Sequence, residues 1–208
     1  MALVENHQTS YFTSFMLCWV MAPISKIFLA SLFSLSFTAN ASAQIIVHGG
    51  GAARDCYVST KAGNPGKIGA IQSCKTALTE ALSNKDLAAT HVNLGVLLMR
   101  KGDYAEAQSH YTKAIEKRPK LAEAYINHAA SLIYMANYDA AITSLDKAIE
   151  IGTEKMPEAL YNRAVAYDRL KNYKGAYNDL KQALFLRPDW EPAVTLLSGY
   201  QVTTRPKT

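Results

Sequence analysis

The chain has 208 residues, 49% of them hydrophobic and 19% charged, with 22 Lys and Arg against 17 Asp and Glu. That balance excludes a disordered tail and a polybasic arm, and the length suits one domain with a short appendage. Three cysteines are too few for a disulfide scaffold, and none has the CxxC or Cys/His spacing of a structural zinc site.

The first element is an address. Ile27 to Phe37 (IFLASLFSLSF) carries no charge, follows Lys26, and leads into Ala41-Ser42-Ala43 before Gln44. A basic start, an apolar stretch and a small-residue cleavage site stand in the order of a secretory signal. As a helix the apolar stretch reaches only about 17 Å, short of a hydrocarbon core of about 30 Å. The alternative is a retained anchor, lengthened by the fairly apolar Tyr11 to Val20. Met21 opens a leader of normal length by itself, so residues 1–20 read as an upstream extension, residues 1–43 as the signal region, and Gln44 as the mature start. No stable membrane insertion is expected after cleavage, and the protein is expected to be periplasmic or secreted.

Export would remove Cys18 and leave Cys56 and Cys74 in an oxidising compartment, where a disulfide between them is expected. Two small buried thiols are the alternative. Residues 44–67 read as a leader and loop holding one short helix, Arg54 to Lys61, before the breaker Gly63-Asn64-Pro65-Gly66. Residues 68–87 follow as a half-repeat, with a helix over Ile68 to Leu82.

Beyond it the chain repeats. Asn93-Leu94-Gly95, Gly102-Asp103-Tyr104, Ala107, Tyr111 and Ala114 return 34 residues later as Asn127-His128-Ala129, Ala136-Asn137-Tyr138, Ala141, Leu145 and Ala148. They return 35 residues further on as Asn162-Arg163-Ala164, Lys171-Asn172-Tyr173, Ala176, Leu180 and Ala183. Within each copy the set Ala107, Tyr111, Ala114 is spaced i, i+4, i+7, one face of a helix. Small residues there let a partner helix approach closely. Two helices this short cannot bury their apolar faces alone, so neighbouring copies must stack. Ala70, Cys74 and Ala77 precede the first set by 37 residues and make Ile68 to Leu82 the second helix of a degenerate extra copy.

This pattern, with Pro119 and Pro188 closing the first and third copies, resembles the tetratricopeptide repeat over about residues 88–190. The resemblance implies an all-α, right-handed solenoid of about three helix-turn-helix repeats (88–121, 122–156, 157–188) between an N-terminal half-repeat and a C-terminal capping helix. The family's bulky opening residue is His91, Tyr125 or Leu160 here, never tryptophan. The second copy lacks its closing proline and has Gly152 as a helix stop instead. Residues 189–208 supply the cap and tail: Asp189-Trp190-Glu191-Pro192 starts a helix, and Ala193, Leu196, Leu197 and Tyr200 give it an apolar stripe.

No catalytic constellation emerges, so no enzyme is expected. His48-Gly49-Gly50-Gly51 has no GxSxG nucleophile turn to serve, and Gly63 to Gly69 lacks the Ser or Thr of a phosphate loop. His48, His91, His110 and His128 show no metal-ligand spacing, so neither metal nor cofactor is expected; His91 and His128 read as packing residues. Carboxylates are dispersed beside basic residues, as on solvated helix faces. Removing Lys26 and Glu5 with the leader leaves 21 basic and 16 acidic residues. The densest basic cluster, Lys113, Lys117, Arg118 and Lys120, ends a second helix where cations favour the dipole, so no nucleic acid is expected.

The resemblance places the first helices of the repeats on a concave, peptide-binding face. It carries Asn93, Val96 and Arg100 onto that face, then Asn127, Ala130 and Tyr134, then Asn162, Val165 and Arg169. An asparagine amide donates to one backbone carbonyl and accepts from one backbone N–H, which suits an extended peptide of any sequence. Arg100 and Arg169 add planar donors for carboxylates, and Tyr134 a ring between them. The alternative is that the asparagines brace neighbouring helices. Family members that clamp acidic chaperone tails use basic residues and a further asparagine where this chain has Val92, Glu158 and Val96. The expectation is therefore an exported adaptor of bacterial type, monomeric or weakly oligomeric, binding an extended peptide or helix of another protein, acidic or C-terminal. A scaffold subunit that self-associates through its caps or convex face is the alternative.

Overall fold

The computed structural model describes residues 2–5, 45, 51–63 and 69–203. The apolar leader, its cleavage site and His48 lie outside the described residues. Nine α-helices are described: α1 (Ala52–Lys61), α2 (Ala70–Ala77), α3 (Asn84–Lys101), α4 (Tyr104–Lys117), α5 (Ala122–Tyr134), α6 (Tyr138–Ile151), α7 (Met156–Arg169), α8 (Tyr173–Leu186) and α9 (Glu191–Ser198). Each consecutive pair from α1 to α8 packs as a hairpin; α1, α3, α5 and α7 also touch one another in series, and each second helix touches the next first helix. Helices that meet their counterparts directly form the inner layer of a curved stack, so the first helices line the inside and α2, α4, α6 and α8 the outside. The described helices form an all-α solenoid.

The turn inside each repeat is the same hydrogen-bonded device. The N–H of Gly102, Ala136 and Lys171 reaches back three residues to the carbonyls of Met99, Ile133 and Asp168, and the next N–H reaches back five, to Leu98, Leu132 and Tyr167. That closes each first helix with a left-handed residue. Glycine holds it at φ 91° in the first repeat, whereas Ala136 (58°) and Lys171 (60°) bear a Cβ in the same conformation.

The cores follow from the small-residue register. In the first repeat Gly95 faces the Tyr111 ring, and a Cβ at Gly95 would stand 2.7 Å from Cζ and 2.9 Å from Cδ1. The later copies exchange volume across the same contact, with Ala129 and Ala164 against the smaller Leu145 and Leu180; all six residues sit at the hairpin registers and the large three are fully buried. Gly95→Ala should cost about 1–3 kcal/mol by overpacking, and adding Tyr111→Leu should recover most of it, read as urea midpoints. A Gly95→Ala midpoint equal to wild type would contradict this contact.

Two ends close the stack. Cys56 in α1 and Cys74 in α2 form a disulfide, Cα to Cα 4.6 Å, across a half-repeat whose second helix is shorter than expected, Ala70–Ala77. At the other end Trp190 stands against Tyr161 at 5.1 Å between ring centroids and under the Arg187 guanidinium at 4.8 Å, while Ala193, Leu196, Leu197 and Tyr200 join the second core. Unexpectedly, the tail after Ser198 is not helical. Tyr200–Thr203 (β2) pairs antiparallel with Ala2–Glu5 (β1), Ala2 opposite Thr203; glycine at position 199 and a β-prone Tyr, Val and Thr within four residues favour strand over helix there. Closing a ring of the size set by the disulfide contributes roughly 3 kcal/mol through the unfolded chain, so reduction should raise deuterium uptake in α2 ahead of α5 to α8. Uptake unchanged in α2 would remove the stapling role.

Candidate functional site

Three asparagines hold one register on the inner layer. Asn93, Asn127 and Asn162 each lie mid-way along α3, α5 and α7, and each is wholly buried. Their surroundings differ. Asn93 is satisfied by main chain: its Nδ2 donates to the Ile45 carbonyl at 3.1 Å and its Oδ1 accepts from the Ile45 N–H at 3.3 Å. Asn162 has neither amide atom paired with any described residue. An unmade hydrogen bond at a buried amide costs about 1–3 kcal/mol, so a brace between helices does not account for Asn162.

The remaining expected groove residues divide. Val96, Ala130 and Val165 are, like the asparagines, buried within the helix-packing cores. Tyr134 is exposed at the edge of the inner layer and stacks on Tyr104, centroids 4.7 Å apart. Arg100 Nη1 donates to the Thr60 carbonyl at 2.6 Å, where it satisfies the end of α1 and favours that helix's negative pole. Arg169 ends α7 on the same layer.

A second register was missed. His110, Ser144 and Asp179 recur 34 and 35 residues apart, each beside the large core residue of its second helix, and each meets a polar side chain of its first helix. His91 Nδ1 and His110 Nδ1 stand 2.9 Å apart, His128 Nδ1 and Ser144 Oγ 2.9 Å, while Arg163 Nε and Nη2 donate to both Asp179 oxygens at 2.7 and 2.8 Å. His91 and His128 are thus packed and hydrogen-bonded, and Asp179, only 5% exposed, departs from the solvated carboxylates expected. Arg163 also reaches Asp146 at 2.6 Å. The signal was present as a period, but its residue types change from copy to copy.

Chemistry is sparse. Among the described residues no three His, Cys, Asp or Glu side chains converge on a point, and no described helix is long and apolar enough to cross a membrane. Burial, with His110, Lys113 and Lys117 alongside, holds His91 at about 4. Burial and Lys113 also lower His110, against Glu106, and burial lowers His128. An imidazole whose folded pKa is depressed takes up its proton more readily when unfolded, so its contribution is complete above about pH 6.5 and is lost as pH falls toward 4. The urea midpoint should fall through that window by the equivalent of roughly 2 kcal/mol, and His91→Phe should flatten the fall; identical pH profiles for the two proteins would refute it.

Known proteins share this architecture. Models described as tetratricopeptide repeat match residues 86–154 and 157–190. Sperm-associated antigen 1 of Rattus norvegicus is 33% identical over 97 residues, 47% of this chain and 11% of its own length. The mitochondrial import receptor subunit TOM70 of the same species is 30% identical over 125 residues, 58% of this chain and 18% of its own. The chain thus spans only between a tenth and a fifth of the length of these two relatives. Among solved structures, the second TPR domain of human RPAP3, in complex with the HSP70 peptide SGPTIEEVD, superposes with a TM-score of 0.53 at 25% identity over 55% of this chain and 95% of that one. MamA residues 41 to the end, from Desulfovibrio magneticus, gives 0.59 at 20% identity over 71% and 82%, a likeness of fold.

Proposed function

The helical array over residues 86–190 belongs to the tetratricopeptide repeat family, and we propose that this chain is an exported, non-catalytic adaptor whose inner face holds an extended segment of another protein. The observation that carries the reading is Asn162, fully buried on the inner layer with its donor and its acceptor both unpaired among the described residues. Asn162 is closed to solvent, so a segment reaches it only by parting the side chains that cover it, and a backbone amide then supplies one acceptor and one donor together. The peptide held by the similar RPAP3 domain supports a protein ligand. The apolar leader and the Cys56–Cys74 disulfide support export, and the pairing of Ala2–Glu5 with Tyr200–Thr203 then belongs to the uncleaved chain.

The ligand differs from a clamped acidic tail. Where the resemblance would need basic groups and a further asparagine, Val92 and Val96 are fully buried and Glu158 accepts from Arg187 Nη2 at 3.0 Å. Arg100 is already engaged by the Thr60 carbonyl. Main-chain recognition therefore contributes most to binding, and an acidic or C-terminal end contributes less.

A second reading has its own observation. Phe185 is 84% exposed, and Leu186 next to it in sequence and Val194 on α9 are exposed as well, apolar side chains through which copies would associate as a scaffold. Light scattering at high concentration separates the two, since a monomer excludes the scaffold.

The adaptor reading is tested by crosslinked pull-down from the envelope fraction, comparing wild type with Asn162→Ala and with the Asn93→Ala, Asn127→Ala, Asn162→Ala triple variant, all shown to be folded. A protein captured by wild type should drop about tenfold with Asn162→Ala and disappear with the triple variant. Equal capture by all three would place the partner elsewhere.

A further inference from the structure

Ile45 is bound in the way a ligand would be. Its N–H and carbonyl both pair with the Asn93 amide, 48 residues away, and its side chain is half-buried against the core that holds Val92 and Val96 and against the small cluster of Ala53, Ala77 and Ala89. Asn93 and Asn162 share one register, yet the first is satisfied by this chain's own backbone and the second by no described residue. The sequence around Ile45 suits a tethered extended segment: Ile45, Ile46 and Val47 are β-branched, and Gly49-Gly50-Gly51 separates them from α1. The expected cleavage after Ala43 would leave Ile45 as the second residue of the mature chain.

We propose that Ile45 is an intramolecular ligand of the inner face, holding Asn93 by its main-chain amide and competing there with the backbone of a partner. The inference rests on reading that face as a peptide groove. A partner then engages the face from the Asn162 end and gains Asn93 only by displacing Ile45. Such a contact sets where an incoming chain starts and weakens partners too short to displace it.

The test uses the full chain with its disulfide intact and, as probe, an N-acetylated peptide of residues 44–50 (QIIVHGG). Ile45→Pro deletes the N–H that Asn93 accepts and leaves Asn93 in place. The peptide should bind Ile45→Pro at least tenfold more tightly than wild type, and Asn93→Ala added to Ile45→Pro should abolish that gain. In wild type the Ile45 amide should exchange at least tenfold more slowly than in Asn93→Ala. Equal peptide binding by wild type and Ile45→Pro, or no binding by either, overturns the proposal, since Ile45 is then a fixed part of the cap. An Ile45 amide exchanging at the free-peptide rate in wild type overturns it as well. Neither result touches Asn162, whose pull-down judges the groove itself.

Discussion

Close approach of two short helices at a small residue is the constraint from which the rest of this structure is built. No helix pair of this length buries enough apolar surface by itself, so each repeat depends on the next, and the spacing between layers is set where Gly95, Ala129 and Ala164 meet Tyr111, Leu145 and Leu180. The first repeat solves the contact with the smallest and largest members, the other two with intermediate ones. Total volume across the contact is conserved while its partition changes, which keeps the layers parallel enough to stack.

Polar pairs then distinguish repeats that apolar packing leaves alike. A histidine pair, a histidine with a serine and a bidentate arginine with an aspartate join the three hairpins, with His110, Ser144 and Asp179 in one register and His91 entering from three residues earlier on its helix than His128 and Arg163 do on theirs. An ionic pair of this kind adds little net stability once desolvation is counted, but a mismatched one is costly. Sliding the chain by one repeat would set Arg163 against Ser144 or His128 against His110, so the pairs hold each helix to its own partner. The same logic assigns different roles to the two polar registers: one joins helices within a repeat, and the other, the asparagines, faces along the inner layer.

Much of this was legible in the residues. The 34-residue period, the cysteine pair and the apolar stripe after Trp190 are local patterns, and each corresponds to an element of the fold. What escaped depends on residues brought together from a distance. Arg100 looked available for a carboxylate because Thr60, 40 residues earlier, gives no sign that its carbonyl lies alongside. The pairing of Ala2–Glu5 with Tyr200–Thr203 joins opposite ends of the chain. Ile45 was the hardest to see, since it was counted in a leader and nothing in its identity marks it as a partner for Asn93.

The inner face, rather than the exposed apolar end, is the proposed meeting place with another protein. The most direct measurement replaces Tyr134, at the edge of that face, and separately Phe185, at the C-terminal end of the stack, by a photo-crosslinking phenylalanine analogue in the intact cell. Adducts to a second protein from position 134 and none from position 185 are the predicted result. Adducts from position 185 alone, above all between copies of this chain, would contradict it.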